Sequence, residues 1–343
     1  MRLFRLNFLK TWLLSLVFLI FVIVIVGGLT RLTGSGLSMV DWNLFMGSIP
    51  PIGDAAWVSV FNGYKNYPEY IQVNSSMTLD EFKVIFLWEY IHRMLGRLIG
   101  LVIMFGLIYM ILNSKKYKSF ISNGVIMFIL VCSQGLMGWY MVKSGLIDIP
   151  RVSHFRLASH LFLALLLFEY IVWTYLSINK KKFYFSNISI AMIGWISLLV
   201  LQIIYGAFTS GLKAGWGYNT YPLMNGEFLP SAAFMHDGLF NNLFFNPVMV
   251  QFFHRHFPVF LSLAFFCIAY YIFKSTKNKQ IRVATLVTLI ILILQILLGI
   301  LTLVLVIPIA LASLHQITGV VLLTSSVVLL FYLLNNFKLT MKN

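Results

Sequence analysis

The chain has 343 residues, of which 60% are hydrophobic and only 10% are charged, and its mean hydropathy is +0.89. A water-soluble domain of this size could not cover so much apolar surface, so the composition excludes a soluble globular protein and indicates a membrane protein. The net charge of +15 does not indicate nucleic-acid binding, because the basic residues form small clusters between apolar spans and no continuous basic face.

Eight apolar spans follow one another along the chain, each close to the length of about 20 residues that a helix needs to cross a bilayer. They cover about residues 12–29, 84–112, 120–142, 155–178, 188–209, 249–273, 283–306 and 309–334. The first span follows a basic segment, as in a signal peptide, but it is long enough to cross the bilayer and no convincing cleavage site follows. The predicted fold is therefore an all-α integral membrane protein with eight transmembrane helices.

The distribution of basic residues predicts the orientation of these helices. Clusters occur before the first span, after each even-numbered span and at the end of the chain: Arg2, Arg5, Lys10, Lys115, Lys116, Lys118, Lys180, Lys181, Lys182, Lys274, Lys277, Lys279, Arg282, Lys338 and Lys342. By the positive-inside rule both termini are cytoplasmic, and the long loops at 30–82 and 210–248 lie on the outer side. The expected location is a bacterial inner (plasma) membrane.

The two halves of the sequence resemble each other. Ser133–Gly138 in the third span is similar to Leu294–Gly299 in the seventh, and Leu157–His160 in the fourth is similar to Leu311–His315 in the eighth. Four helices return the chain to the side on which it started, so a duplication would preserve orientation. We therefore expect two pseudo-symmetric four-helix bundles, 1–182 and 183–343, related by an axis along the membrane normal.

Four of the seven histidines occupy matching places in the even-numbered spans: His92, His160, His254 and His315. Each lies inside the predicted outer end of its span, at a depth of about 8 to 12 Å for a rise of roughly 1.5 Å per residue. Two imidazoles that face each other in a four-helix unit can supply both axial nitrogens of a heme iron. The expected pairs are His92 with His160, and His254 with His315.

For a single intramembrane histidine, a hydrogen bond between helices is an equally good explanation, and a metal site without heme is another. The Gly-rich and aromatic-rich helices favour a large, flat, apolar cofactor. The other histidines, His154, His236 and His256, lie at loops or helix ends and are predicted to be interfacial. Cys132 and Cys267 lie within apolar spans and are predicted to be small buried hydrophobic residues.

Several arginines occur near these histidines or at the start of the first outer loop: Arg31, Arg93, Arg97, Arg156 and Arg255. Charges within a membrane are costly and usually have a function. A guanidinium binds a carboxylate through two parallel hydrogen bonds, so we expect these arginines to bind heme propionates and hold them toward the outer side. The alternative for each arginine alone is that its side chain reaches to lipid phosphates.

Glu89 precedes His92 by three residues and shares its helical face. A buried carboxylate at this place could act as a general base, or it could simply pair with a neighbouring arginine. The corresponding residue of the second half is Gln251, so only the first half has a proton acceptor here. We therefore expect the first half to do chemistry and the second half to hold a cofactor.

Short strings of glycine, aromatic and polar residues recur at defined places along the chain. In order they are Gly27–Ser38, Asp41–Trp42, Gly47–Pro51, Glu89–Arg97, Gln134–Leu146, Arg156–Leu161, Ala214–Gly215, Asn219–Met224 and His315–Gln316. In this order and spacing, and over nearly the whole chain, they resemble the heme A synthase family. The absence of cysteine from the outer loops resembles the cysteine-free type found in mitochondria and related bacteria.

The resemblance implies that the chain oxidises the C8 methyl of heme O to a formyl group, giving the heme A of terminal cytochrome c oxidases, with water as the expected oxygen source. It implies substrate heme O on His92 and His160, heme b on His254 and His315, and a catalytic Glu89. It also implies heme O synthase and cytochrome oxidase assembly factors as candidate partners, and a homo-oligomer as a candidate assembly. One departure is His154, in a stretch where family members usually have a proline.

Two other classes of protein compete with this interpretation. A dihaem b-type electron-transfer protein would use both hemes alike and would need no carboxylate beside one ligand, so the difference between Glu89 and Gln251 counts against it. A transporter built on repeats would have helices broken by Gly or Pro around a site at the midplane, whereas the polar residues here gather near the outer side.

Overall fold

The computed structural model describes residues 2–40, 49–146, 150–179 and 183–336. The α-helices of these residues are α1 (Arg2–Leu32), α2 (Asp54–Tyr64), α3 (Pro68–Gln72), α4 (Leu79–Leu112), α5 (Ser114–Lys143), α6 (His154–Ser177), α7 (Asn187–Gly211), α8 (Leu239–Phe245), α9 (Pro247–Ser275), α10 (Lys279–Val304) and α11 (Ile309–Asn336). Eight of them, α1, α4 to α7 and α9 to α11, are long and apolar enough to cross a membrane. The predicted all-α membrane fold is confirmed, whereas the orientation of the termini stays a prediction.

Some residues of the sequence analysis lie outside the described ranges. They are Asp41, Trp42, Gly47 and Ser48 of the family strings, and Lys180, Lys181, Lys182, Lys338 and Lys342 of the basic clusters.

Several helices extend beyond the predicted apolar spans because polar residues cap them. α4 begins at Leu79, before the predicted start near residue 84, and Thr78 and Glu81 form a capping box there. α9 begins at Pro247, and the side chain of Asn246 accepts hydrogen bonds from the amides of Val248 and Met249. Hydropathy marks the part of a helix that lies in the bilayer and not the capped turns beyond it.

The chain forms two compact units, residues 1–171 and 172–343. In the first, α4 packs against α1 and α5; in the second, α9 packs against α7 and α10, and α11 packs against α10 and α7. The helices that carry His92, His254 and His315 therefore each pack against the long helix that precedes them. The division predicted after residue 182 adjoins residues that are not described, and it stays a prediction.

The long connection between α1 and α4 has its own apolar core. α2 and α3 pack on the first turns of α4 through the buried side chains of Met39, Phe61, Tyr64, Phe82 and Phe86. The Tyr64 hydroxyl donates a hydrogen bond to Glu69 (3.0 Å) and accepts one from Asn74 (2.8 Å), and burial raises the pKa of Tyr64. The part of this connection formed by residues 49–78 therefore packs over the beginning of α4.

Two asparagines bind the backbone of the connection between α7 and α9. The Asn242 side chain bonds both the amide and the carbonyl of His236, at 3.0 and 2.6 Å, and Asn246 donates to the carbonyl of Ala232 at 2.8 Å. Both asparagines are buried. Hydrogen bonds of this kind let an irregular segment bury its backbone without leaving polar groups unpaired.

The prediction for the two cysteines is wrong. Cys132 on α5 and Cys267 on α9 are both free and exposed. Spanning helices turn apolar residues outward to lipid, so an apolar span does not imply a buried side chain.

Candidate functional site

The four predicted histidines form two facing pairs, one in each unit. The ring centroids of His92 on α4 and His160 on α6 are 6.5 Å apart, with an angle of 70° between the ring planes. Those of His254 on α9 and His315 on α11 are 6.2 Å apart, with an angle of 80°. The rings therefore face each other in the two pairs expected from the sequence, and their role as iron ligands stays a prediction.

These distances fit ligation of one iron by two imidazoles. A metal–nitrogen bond of about 2.0 Å, with the ring centre about 1 Å beyond the nitrogen, puts two opposite imidazole centroids roughly 6 Å apart. Among the described residues, no group of three or more His, Cys, Asp or Glu side chains could hold a metal ion. The histidines therefore occur as pairs, which is the ligand set of a bis-histidine heme.

Each histidine ring lies against a glycine of the preceding long helix. A β-carbon at Gly27 would lie 3.0 Å from Nε2 of His92, and one at Gly138 would lie 3.1 Å from Cε1 of His160. In the second unit, a β-carbon at Gly206 or Gly299 would lie 2.9 or 2.8 Å from Cε1 of the facing histidine. All four contacts are tighter than ordinary packing, so a larger residue would displace the histidine ring.

Three glutamines, each four residues before one of these glycines, are site residues that the sequence did not predict. Gln134 donates to the carbonyl of His160 (3.0 Å) and Gln202 donates to the carbonyl of His254 (2.7 Å). The backbone carbonyl of Gln295 lies 3.1 Å from Nδ1 of His315. The signal in the sequence is a Gln-x-x-x-Gly stretch in α5, α7 and α10, of which only Gln134 and Gln295 were noticed, as evidence of duplication.

Glu89 is buried and bonded to its own helix and to the preceding connection. Its Oε1 accepts from Nη2 of Arg93 (2.6 Å), and its Oε2 accepts from the hydroxyl of Ser38 and the amide of Met39, both at 2.8 Å. The carboxylate is 4% exposed and the guanidinium 8% exposed. Every contact is a donor, as an ionised carboxylate requires. Glu89 thus pairs with an arginine, which was one of the two alternatives, and its role as a general base stays a prediction.

Gln251 and Arg255 make the corresponding contacts in the second unit. Gln251 donates to the carbonyl of Gly217 at 2.6 Å, and Arg255 donates to the carbonyls of Tyr218 (3.2 Å) and Thr220. Both side chains are buried. The pair in each unit therefore ties the preceding connection to the histidine-bearing helix, and only the first unit does so with a carboxylate.

The other arginines of the predicted propionate set are placed as follows. Arg156 donates to the carbonyl of Tyr140 (2.7 Å), and its guanidinium stacks 3.6 Å from the centroid of that ring. Arg97 lies 3.8 Å from the sulfur of Met94, and Arg31 is in the last turn of α1. Their role toward heme stays a prediction, as does that of Arg93 and Arg255.

The three remaining histidines make local contacts. His154 is buried with its ring centroid 4.3 Å from that of Phe155. Nδ1 of His256 lies 2.9 Å from the carbonyl of Phe252, and the backbone of His236 is bound by Asn242. Their side chains do not join either histidine pair.

A cavity of about 240 Å³ lies beside Arg93 in the first unit. Met39 and Trp139 line it, and Lys143 places a second cation at its wall. A space of this size can hold several water molecules next to the residue that binds Glu89.

A model of the cytochrome oxidase assembly protein family, COX15-CtaA, matches residues 10–327. The chain belongs to this family. Curated relatives named "Heme A synthase" include those of Pelagibacter ubique, 44% identical over 95% of this chain and 96% of the relative, and Neorickettsia sennetsu, 42% identical over 92% and 95%. That of Flavobacterium johnsoniae is 40% identical over 92% and 94%. The family resemblance predicted from the sequence is confirmed.

Gly206 offers a test of the histidine geometry in this COX15-CtaA member. Gly206→Ala is expected to displace the ring of His254 and to weaken heme binding in the second unit by about tenfold or more, as when the support of a metal ligand is lost. The ratio of heme to protein absorbance after purification measures this. Gly194→Ala in the same helix is the matched control, since a β-carbon there meets nothing within 4 Å. Equal heme content in both variants would contradict the prediction.

Proposed function

We propose that this chain is a heme A synthase, which oxidises the C8 methyl of heme O to the formyl group of heme A. Membership of a family whose curated relatives carry this name supports the activity. The observation that carries the proposal is a pair of facing histidines in each unit, with a buried carboxylate beside only the first pair. An enzyme that oxidises one heme and retains another needs two similar heme sites, of which only one has a group that can accept a proton.

In this proposal His92 and His160 bind the substrate, heme O, through its iron. Glu89 shares a helix face with His92, three residues away, so its carboxylate lies on the side of the helix that carries the ligand. Arg93, Arg156, Arg97 and Arg31 would receive the propionates. These arginines would fix the rotation of the porphyrin, and therefore which methyl group lies near Glu89.

We assign to Glu89 the acceptance of a proton from the water that supplies the oxygen. One of its donors has to give way to that water. The Ser38 hydroxyl can do so, because the carbonyls of Ser35 (3.1 Å) and Ile85 (3.3 Å) are also within its reach. Arg93 stays bound through the carbonyl of Met39 at 2.8 Å. The cavity beside Arg93 gives water room to approach.

The overall conversion removes electrons and protons in two rounds. Each round takes two electrons and one proton from the methyl carbon and one proton from the water whose oxygen is added as a hydroxyl group. After two rounds the resulting hydrated aldehyde loses one water to give the formyl group. The electrons pass to an external acceptor. Glu89 needs to hold only one proton at a time before releasing it toward solvent.

His254 and His315 would hold a resident heme b. Heme iron with two histidine ligands has no open position, so such a group supplies one-electron transfer rather than oxygen activation. Gln251 replaces the carboxylate, and its contact with the carbonyl of Gly217 keeps the second connection closed over the site. The division of labour between halves 1–182 and 183–343 is part of this proposal.

We further propose the bacterial inner membrane as the location, with both termini cytoplasmic and the histidine pairs near the periplasmic side. The spanning helices and bacterial relatives support a multi-pass membrane protein, and the basic clusters support the orientation. Heme O synthase, cytochrome oxidase assembly factors and further copies of the chain are the candidate partners.

Expression in bacteria that make heme O but no heme A tests the function. The chain is expected to cause heme A to appear among hemes extracted from the membranes and identified by mass. A matched strain carrying His92→Ala should contain heme O but no heme A. Unchanged heme O with no heme A from the intact chain would instead support the dihaem b-type electron-transfer protein.

A further inference from the structure

Four helices contact the ligand histidines through a glycine, and three of these helices carry a Gln-x-x-x-Gly sequence that ends at this glycine. In α5, α7 and α10 a glutamine precedes the glycine that contacts the histidine by four residues, as Gln134–Gly138, Gln202–Gly206 and Gln295–Gly299. In α1 the same place, four residues before Gly27, is occupied by Ile23. Residues four apart lie on one face of a helix, so each of these side chains lies one turn below its glycine.

The glutamines hold the histidines in two ways. Nε2 of Gln202 lies 2.9 Å from Nδ1 of His254 as well as donating to its carbonyl, and Nε2 of Gln134 lies 3.4 Å from the ring of His160. His315 is held instead through its Nδ1 by the backbone of Gln295. Among the described residues, none forms a hydrogen bond with the ring of His92.

The position of Ile23 is equivalent in three dimensions as well as in sequence. A β-carbon at Gly319, four residues after His315, would lie 3.2 Å from Nε2 of Gln295. A β-carbon at Gly96, four residues after His92, would lie 3.7 Å from Cδ1 of Ile23. The isoleucine therefore fills the space that the amide fills elsewhere, but its side chain cannot donate or accept a hydrogen bond.

We propose that His92 is the exchangeable ligand of the substrate heme, and that the side chains of Gln134 and Gln202 and the backbone of Gln295 position the other three ligands and make them slow to exchange. A ligand ring held by a second group keeps its orientation and binds more tightly, typically by about 10- to 100-fold. Among the described residues the ring beside Ile23 has no such hydrogen bond, so we expect it to rotate away from the iron more easily than the other three rings.

The proposal rests on the proposed function and explains a requirement of it. A substrate heme must enter and its product must leave at every turnover, whereas a resident heme has to stay. With His254 and His315 both held, the second unit retains its heme. In the first unit only His160 is held. This ligand keeps the heme oriented, while His92 can move away from the iron and allow the heme to exchange.

The test measures how fast each heme leaves the intact purified protein loaded with heme O. Excess apomyoglobin captures released heme, and extraction with mass identification distinguishes heme O and heme A from heme b. In the unsubstituted chain heme O and heme A are expected to leave at least tenfold faster than heme b. Equal rates would overturn the proposal.

Ile23→Gln is the decisive variant. The added amide is expected to slow release of heme O and heme A by about tenfold or more, with the release of heme b unchanged. Ile25→Gln is the matched control, because it puts the same amide on another face of α1 and should leave all rates unchanged. A rate for Ile23→Gln equal to that of the control would overturn the proposal.

A substitution in the opposite direction guards against a folding defect in Ile23→Gln. Gln202→Leu is expected to speed loss of heme b by about 10- to 100-fold without changing release of heme O. Release of heme b at the unsubstituted rate would show that the glutamines do not position ligands. Release needs no oxidation of the methyl group, so these outcomes are independent of whether heme A is formed, which alone tests the proposed function.

Discussion

Replacing Glu89 by alanine is expected to lower heme A formation by about 10²- to 10⁴-fold, the usual contribution of a general base, while both hemes remain bound. In the proposed function the iron ligands are histidines, and Glu89 contacts Ser38, Met39 and Arg93 rather than either ring. Turnover of heme O to heme A in membranes measures the loss, and the absorbance spectrum of the purified protein measures heme retention.

The salt bridge of Glu89 complicates this prediction, and further variants resolve it. Removing one partner of a buried pair costs about 3 to 5 kcal/mol, because the other charge is left unpaired. Glu89→Asp keeps the charge for Arg93 and should keep partial activity, whereas Glu89→Gln should be as inactive as alanine. Ser38→Ala removes one hydrogen bond to the carboxylate and should change activity only a few-fold.

A buried carboxylate elsewhere supplies the control. Glu69 is buried in the first connection, where it binds Tyr64, and Glu69→Gln should leave the conversion within a few-fold of normal. If Glu89→Ala retained full activity, or if Glu69→Gln lost as much, Glu89 would not be the base.

Replacing His254 or His315 by alanine is expected to abolish heme A formation and to remove one heme, although heme O still binds in the first unit. If these histidines hold heme b as proposed, loss of either one would remove one of the two protein ligands, whose rings lie 6.2 Å apart. We expect the heme b content to fall at least tenfold, and the conversion to fall with it because the electrons have no local acceptor. The heme b content is measured by extracting the hemes and identifying them by mass, and the conversion is measured as the amount of heme A formed.

His256 is the matched control for His254. It is on the same helix two residues away, and its ring lies near the carbonyl of Phe252 and outside the histidine pair. His256→Ala should keep both hemes and most of the activity. Retention of heme b in both His254→Ala and His315→Ala would refute bis-histidine ligation in the second unit.

The sequence was sufficient for the eight spans, the family and the histidine pairs because each has a strong local signal. Apolar length marks a span, and the repeat of a histidine at matching places marks a pair. The contact of Glu89 with Ser38 and Met39 has no such signal, since the partners are about fifty positions apart and belong to an irregular segment. Hydropathy also failed for Cys132 and Cys267, because it does not separate a protein-facing from a lipid-facing side.

The glutamines are an intermediate case. Gln134 and Gln295 were visible as repeated letters, but their meaning depended on the distance to a histidine in another helix. Ile23 was not noticeable at all, because an isoleucine in an apolar span is expected. Its significance appears only when the four helices are compared in three dimensions.

Pro258 lies inside α9, four residues after His254. Proline has no amide hydrogen, so the carbonyl of His254 loses its usual helical donor, and the donor it has is Gln202 at 2.7 Å. In a bilayer an unsatisfied carbonyl costs several kcal/mol. The two positions are therefore expected to be linked in evolution, because the proline can be lost before the glutamine without leaving this carbonyl unpaired. Among relatives, glutamine should be retained wherever the proline is.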